Sequence, residues 1–245
     1  MILILGMPRS GTSLTAKIIE KLGFNFNINP FNTLDEMFLP NTQYYQHKSL
    51  FLELCSTQSM NFEKINMNIE LPECDVIKEP YLLFTLDSIR SKISKIILVV
   101  RNPVETIESC RTFKSLNYNT DNNVQMDKWN KYYITFLEEV KDIPYLIVNY
   151  NNYQNNFLYE VNKIKTFLTI TKEPNLADIN FHNNNNYNLL NIPPITKYIY
   201  LNLISENKSN YTKILQEYLK YNKLKPNDLC FCNSKKKFKK CCKNF

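Results

Sequence analysis

Glycine is nearly absent from this chain: three in 245 residues, all within the first 23. No backbone position after Gly23 can therefore rely on a residue without a Cβ. Long apolar runs are missing too, and none approaches the ~20 residues of a membrane helix. The opening run Ile2-Leu3-Ile4-Leu5 is too short for a secretory core and leads straight into a loop. The expectation is a soluble, cytoplasmic protein with no membrane partner. There is no internal repeat. What is present is 44% hydrophobic and 13% aromatic residues, enough for one α/β domain with a small appendage.

Charge and cysteine are unevenly spread. The net charge is +7, yet residues 226–245 hold Lys235, Lys236, Lys237, Lys239, Lys240 and Lys243 against Asp228 alone. That leaves a nearly neutral body with a basic tail. Cys55, Cys74 and Cys110 are singles in apolar segments and read as buried structural thiols. Cys230, Cys232, Cys241 and Cys242 cluster, and without a secretory signal such a cluster points to zinc before disulfides.

Two of the three glycines bracket Gly6-Met7-Pro8-Arg9-Ser10-Gly11-Thr12-Ser13, between an apolar strand and a helical stretch. That layout cradles a phosphate, with backbone N–H groups at a helix N-terminus aimed at the anion. The spacing fits a P-loop, but Thr12 occupies the place of its Lys, and the positive charge sits inside the loop at Arg9. A second segment, Lys95-Ile96-Ile97-Leu98-Val99-Val100-Arg101, reads as a strand buried on both faces and ending in Arg. Asn102, Pro103 and Glu105 are helix-start residues, and Ser109 follows eight residues after Arg101.

Pro8-Arg9-Ser10-Gly11-Thr12-Ser13 resembles the 5′-phosphosulfate loop of sulfotransferases, which use 3′-phosphoadenosine 5′-phosphosulfate (PAPS) as donor. Lys95 to Phe113 is similar to that family's 3′-phosphate site. The resemblance implies that the loop from Pro8 to Ser13 binds the donor's 5′ end, and Arg101 and Ser109 its 3′-phosphate. Lys78-Glu79-Pro80 resembles the Lys-Asp-Pro segment of protein-tyrosine and bacterial sulfotransferases, which implies that Lys78 joins Arg9 on the transferring sulfuryl group. Asn41 to His47 is similar to the bacterial stretch carrying the acceptor-activating Glu. That Glu is Gln46 here, so His47 is the expected base, with Glu36 and Asp35 as further candidates. The strand end Asn149-Tyr150-Asn151-Asn152 replaces the usual Arg-Tyr-Glu-Asp. The glycine-containing adenine clamp of cytosolic members has no counterpart.

Apolar periodicity predicts a helix over 12–22, a short strand over 24–28, a loop over 29–46 and a helix over 47–60. It then predicts strands at 75–78, 95–101 and 145–150, and helices from Pro80, over 103–115, around Trp129 and over 157–168. Alternating strands and helices argue for an α/β fold with a parallel central sheet. The three-layer P-loop fold of sulfotransferases matches that order. The expected division is 1–172 for the nucleotide domain, 173–225 for a linker and helical arm, and 226–245 for the tail. Pro226 to Cys242 is similar to the SEC-C zinc module, with Cys-x-Cys, eight residues, then Cys-Cys. Its glycine turn has become Asn233-Ser234-Lys235. Four thiolates imply a closed structural site, and the lysines suit an acidic protein or nucleic-acid partner. The reading is a PAPS-dependent sulfotransferase. A P-loop kinase or NTPase and a non-catalytic sulfotransferase-fold binding protein remain the alternatives.

Overall fold

The computed structural model describes residues 1–28, 45–55, 61–112, 121–177, 179, 189, 192–232 and 234–242. Asp35, Glu36 and the rest of the 29–44 loop lie outside the described residues, as do 56–60, 113–115 and Asn233. So does the side chain of Cys55.

Four short apolar segments become strands: β1 (Ile2–Leu5), β2 (Val76–Lys78), β3 (Lys95–Val100) and β4 (Tyr145–Asn149). They pair in parallel in the order β2-β1-β3-β4. All of β1 and β2, and β3 from Ile96 onward, is buried. A parallel sheet covered on both faces requires such unbroken apolar runs.

Helices α1 (Thr12–Lys21) and α2 (Lys48–Cys55) follow β1; α3 (Leu86–Ile89) precedes β3; α4 (Pro103–Thr112) and α5 (Asn122–Glu139) link β3 to β4. After β4 come α6 (Asn152–Asn155), α7 (Phe157–Leu168), α8 (Pro194–Ile204) and α9 (Asn210–Lys223). Two expectations change. Phe24 to Ile28 is not a strand: Asn27 takes a left-handed φ of 48°, and Asn25 alone meets Asp75 and Val76 through its backbone. The helix opened by Pro80 begins as a 3-10 turn over Pro80–Thr85, capped by the Glu79 carboxylate accepting from the Tyr81 N–H.

The chain divides into two compact units, Met1–Arg101 with Glu139–Asn183, and Asn102–Glu138 with Asn184–Phe245. In the first, Ile4, Ile97, Val99 and Val148 of the sheet pack with Ala16, Ile18 and Ile19 of α1 and Val161, Ile164 and Leu168 of α7. In the second, the buried Trp129 of α5 lies 4.4 Å from the Tyr133 ring and 6.2 Å from Tyr200 of α8. Cys110 is buried and Cys74 half-buried. Among the described residues, no helix is long and apolar enough to cross a membrane.

Candidate functional site

Register brings the carboxyl ends of all four strands to one edge. Ile4 stands opposite Lys78, Leu5 opposite Leu98, and Val100 opposite Asn149. The residues leaving that edge are Gly6, Glu79, Arg101 and Tyr150, where open α/β sheets bind their ligands.

The glycines of the first loop are there for close approach. A Cβ on Gly6 would stand 2.5 Å from Ser10 Oγ and 2.7 Å from the Val99 carbonyl. Gly11 has a left-handed φ of 99°, and its Cβ would meet the Tyr150 ring at 2.0 Å. Between them the Ser10 N–H donates to the Met7 carbonyl at 2.9 Å. Arg9 sits at φ 71°, a left-handed conformation costing a non-glycine residue about 1–3 kcal/mol. Pro8 and Thr12 are buried; Arg9, Gly11 and Ser13 are half-buried.

Two features of this loop suit an anion. Ser10 is fully buried and its Oγ has no hydrogen-bond partner among the described residues, a cost of about 1–3 kcal/mol unless a ligand satisfies it. Helix α1 starts at Gly11 with no side-chain cap and no acidic residue in its first turn, leaving its positive end to an anion.

Arg101 is buried at the same edge. Its Nη1 donates to the Arg9 carbonyl at 3.0 Å, and its guanidinium carbon lies 4.5 Å from the centre of the Tyr150 ring. Tyr150 thus packs against both Gly11 and Arg101, a role sequence reasoning missed; the only signal was an aromatic one step beyond a strand end. Side-chain amides from the places of the Arg and the Asp hold that turn. Asn149 donates to Asn152, Asn152 to Glu160, and the buried Glu160 pairs with Lys163 at 3.0 Å. Ser109 is half-buried on α4, in the second unit.

Lys78 is buried, and its ammonium donates to Gln46 Oε1 at 3.1 Å. Gln46 Nε2 donates to Glu79 Oε2 at 2.7 Å. Burial pushes the Glu79 carboxyl above its usual range, opposed by the Gln46 hydrogen bond, the Lys78 charge and the Tyr81 N–H. His47 is also buried, its Nε2 donating to the Phe26 carbonyl at 2.9 Å. Burial lowers its pKa, partly offset by that bond, so the imidazole is neutral at pH 7 with its lone pair on Nδ1.

At the C-terminal end, the thiols of Cys230, Cys232, Cys241 and Cys242 lie within 4.8 Å of one another. Neighbouring sulfurs are 3.5, 3.3 and 3.6 Å apart along the series, near the ~3.8 Å edge of a tetrahedral zinc–sulfur site. A short hairpin presents them: Leu229 bridges Lys237, and the Cys230 N–H donates to the Lys236 carbonyl at 2.8 Å. Lys235, in the place of a turn glycine, takes a left-handed φ of 59°. Hydrogen bonding from Ser234 pulls the Cys232 thiol down to about 6, while the neighbouring thiols push Cys241 up and burial, with those thiols, pushes Cys242 up.

Residues 1–231 match the model of the sulfotransferase domain, and residues 227–244 that of the SEC-C motif. Among solved structures, a sulfotransferase domain from the curacin biosynthetic pathway is similar at 18% identity and a TM-score of 0.43, over 71% of this chain and 75% of that one. A mouse sulfotransferase solved in complex with PAP is similar at 19% identity and a TM-score of 0.44, over 70% of this chain and 58% of that one. No curated protein matches significantly. With its match extending from the first strand into the tail, the chain belongs to the sulfotransferase domain family and ends in a SEC-C motif.

Proposed function

We propose that the protein transfers a sulfuryl group from PAPS to a hydroxyl or amine acceptor. The observation carrying this reading is the unpartnered, buried Ser10 hydroxyl inside the Gly6–Ser13 loop, at the edge where Arg101 is fixed. Residues Pro8 to Ser13 hold the donor's 5′ end and Arg101 its 3′-phosphate; Ser109 keeps the role its spacing from Arg101 implies. Arg9 and Lys78 neutralise charge developing on the sulfuryl and bridging oxygens, worth about 3–4 kcal/mol per donor in a dried cleft. His47 is the proposed base, through Nδ1. The four cysteines hold one structural Zn²⁺, whose folding energy a tail of this size needs. The basic tail then meets an acidic protein or nucleic acid in the cytoplasm, where thiols stay reduced.

Calorimetry with the bisphosphate product PAP, in the absence of Mg²⁺, tests the reading. PAP binds, and Arg101→Ala weakens it by about 2–4 kcal/mol by leaving a phosphate unpaired. Tight ATP–Mg²⁺ binding with none of PAP would make the protein a kinase instead. Position 46, an amide committed to Lys78 and Glu79, favours a second reading, a protein that binds the nucleotide without turnover. PAP binding together with no sulfuryl transfer to any acceptor class would select it.

A further inference from the structure

We propose that Glu79 is a positioning residue: it fixes which end of the Gln46 carboxamide faces Lys78, and so holds the lysine's ammonium in place. The proposal rests on the functional reading in which Lys78 meets the sulfuryl group. A carboxamide's two ends have the same shape and opposite hydrogen-bonding character. An ammonium only donates, so Lys78 requires Oε1; a carboxylate only accepts, so Glu79 requires Nε2. The observed pair of bonds, 3.1 Å and 2.7 Å, satisfies both with one orientation. With Glu79 uncharged and amide-like, Gln46 is free to turn over and set its NH₂ against the ammonium.

Glu79 suits this task because it cannot itself turn. It is 0% exposed, and its other oxygen accepts from the Tyr81 N–H at 3.2 Å. Lys78 and Glu79 are consecutive at a strand end, where successive side chains leave on opposite faces. Gln46, arriving from another segment, joins the two opposite charges through its two bonds. All three side chains are buried, so the bonds act in a low dielectric where a wrongly turned amide is costly. Among the described residues, the titratable neighbours are Lys78 on the same strand end and His47 beside Gln46, the latter turned to the Phe26 carbonyl.

The test is the affinity ratio between PAPS and PAP, measured by calorimetry on the full-length, zinc-loaded protein. PAP lacks the sulfuryl group, so the ratio isolates contacts to that group. Lys78→Met lowers the PAPS preference by about tenfold, because methionine cannot make the ammonium's charge-assisted hydrogen bond to a sulfuryl oxygen. Glu79→Gln lowers it at least about threefold with PAP affinity unchanged, and adds nothing once Gln46→Leu is present, the non-additivity of residues acting as one unit. In the wild type the preference falls as acid protonates Glu79, beyond the change that titration of the PAP 5′-phosphate near pH ~6 brings in every variant, and Glu79→Gln removes that additional dependence. An unchanged ratio in Glu79→Gln, or an equal drop in the Gln46→Leu background, overturns the proposal while the sulfotransferase reading survives. If Lys78→Met leaves the ratio unchanged, or neither nucleotide binds, the functional reading fails and the proposal with it. Should Glu79→Gln not fold, Gln46→Leu alone decides: a ratio equal to wild type overturns the arrangement.

Discussion

Tyr150 stands against Gly11 on one side and the Arg101 guanidinium on the other, so one ring packs against both the loop and the proposed phosphate ligand. Tyr150→Leu keeps apolar bulk but removes the ring face, and PAP binding should weaken by about 0.5–2 kcal/mol, the range of a cation–π interaction. Calorimetry reads this directly; unchanged affinity would mean that Arg101 is held by its bond to the Arg9 carbonyl alone. His47 invites a pH experiment. Its folded-state pKa is lowered by burial from the ordinary 6.5, so below 6.5 the unfolded chain binds a proton that the folded one resists. Stability is fully present above 6.5 and falls as pH drops through the window between the two values. His47→Gln, which keeps a donor for the Phe26 carbonyl, should flatten that fall in denaturant titrations repeated across pH. As the proposed base, His47 also predicts a turnover loss of about 10²–10⁴-fold in His47→Ala with PAP affinity retained. A parallel loss of PAP binding would assign His47 to the fold around Phe26 instead.

At the scale of elements, the strands were legible because burial on both faces leaves an unbroken apolar run, as in Ile96–Val100. The start of α4 was legible because capping is local: Asn102 Oδ1 accepts from the Val104 N–H at 2.9 Å, ahead of Pro103 and the buried Glu105. Asn102→Ala should accordingly cost about 1 kcal/mol of stability, measurable as a shift in denaturant midpoint with an unchanged slope. Phe24 to Ile28 misled because alternation records side-chain polarity and is blind to the left-handed turn at Asn27. The glycine loop and Arg101 were equally readable, each being a strand end with its own local chemistry. The Lys78–Gln46–Glu79 arrangement was not, since Gln46 meets side chains 32 and 33 positions away and no local pattern encodes that meeting. Tyr150 was missed for the same reason: its partners at Gly11 and Arg101 come from other strand ends.

Across the whole molecule, the tail is joined to the helices before it rather than trailing from them. Phe231 lies 5.8 Å from the rings of both Tyr198 and Tyr221, and Phe238 lies 5.5 Å from Tyr221. Phe231 sits between two of the cysteines and Phe238 three residues before the third, so whatever fixes the thiols also fixes the rings against α8 and α9. A tail this short builds little core of its own, so on the proposed reading the metal supplies its folding free energy. Elemental analysis of reduced protein should find one Zn²⁺ per chain. Chelation should then free Phe231 and Phe238, and the last turns of α9 around Tyr221 should lose hydrogen-exchange protection together with residues 224–242. Strands β1 to β4 should keep theirs, because the first unit's core of Ile4, Ile97, Val99 and Val148 includes none of these aromatic rings and local unfolding follows such packing boundaries. PAP affinity of the loop beside Arg101 offers a second check, since a sheet that keeps its protection keeps the edge that carries both. Collapse of the sheet on chelation would make the metal a determinant of the entire fold. Unchanged exchange in α9 would instead show that the aromatic packing persists without the metal.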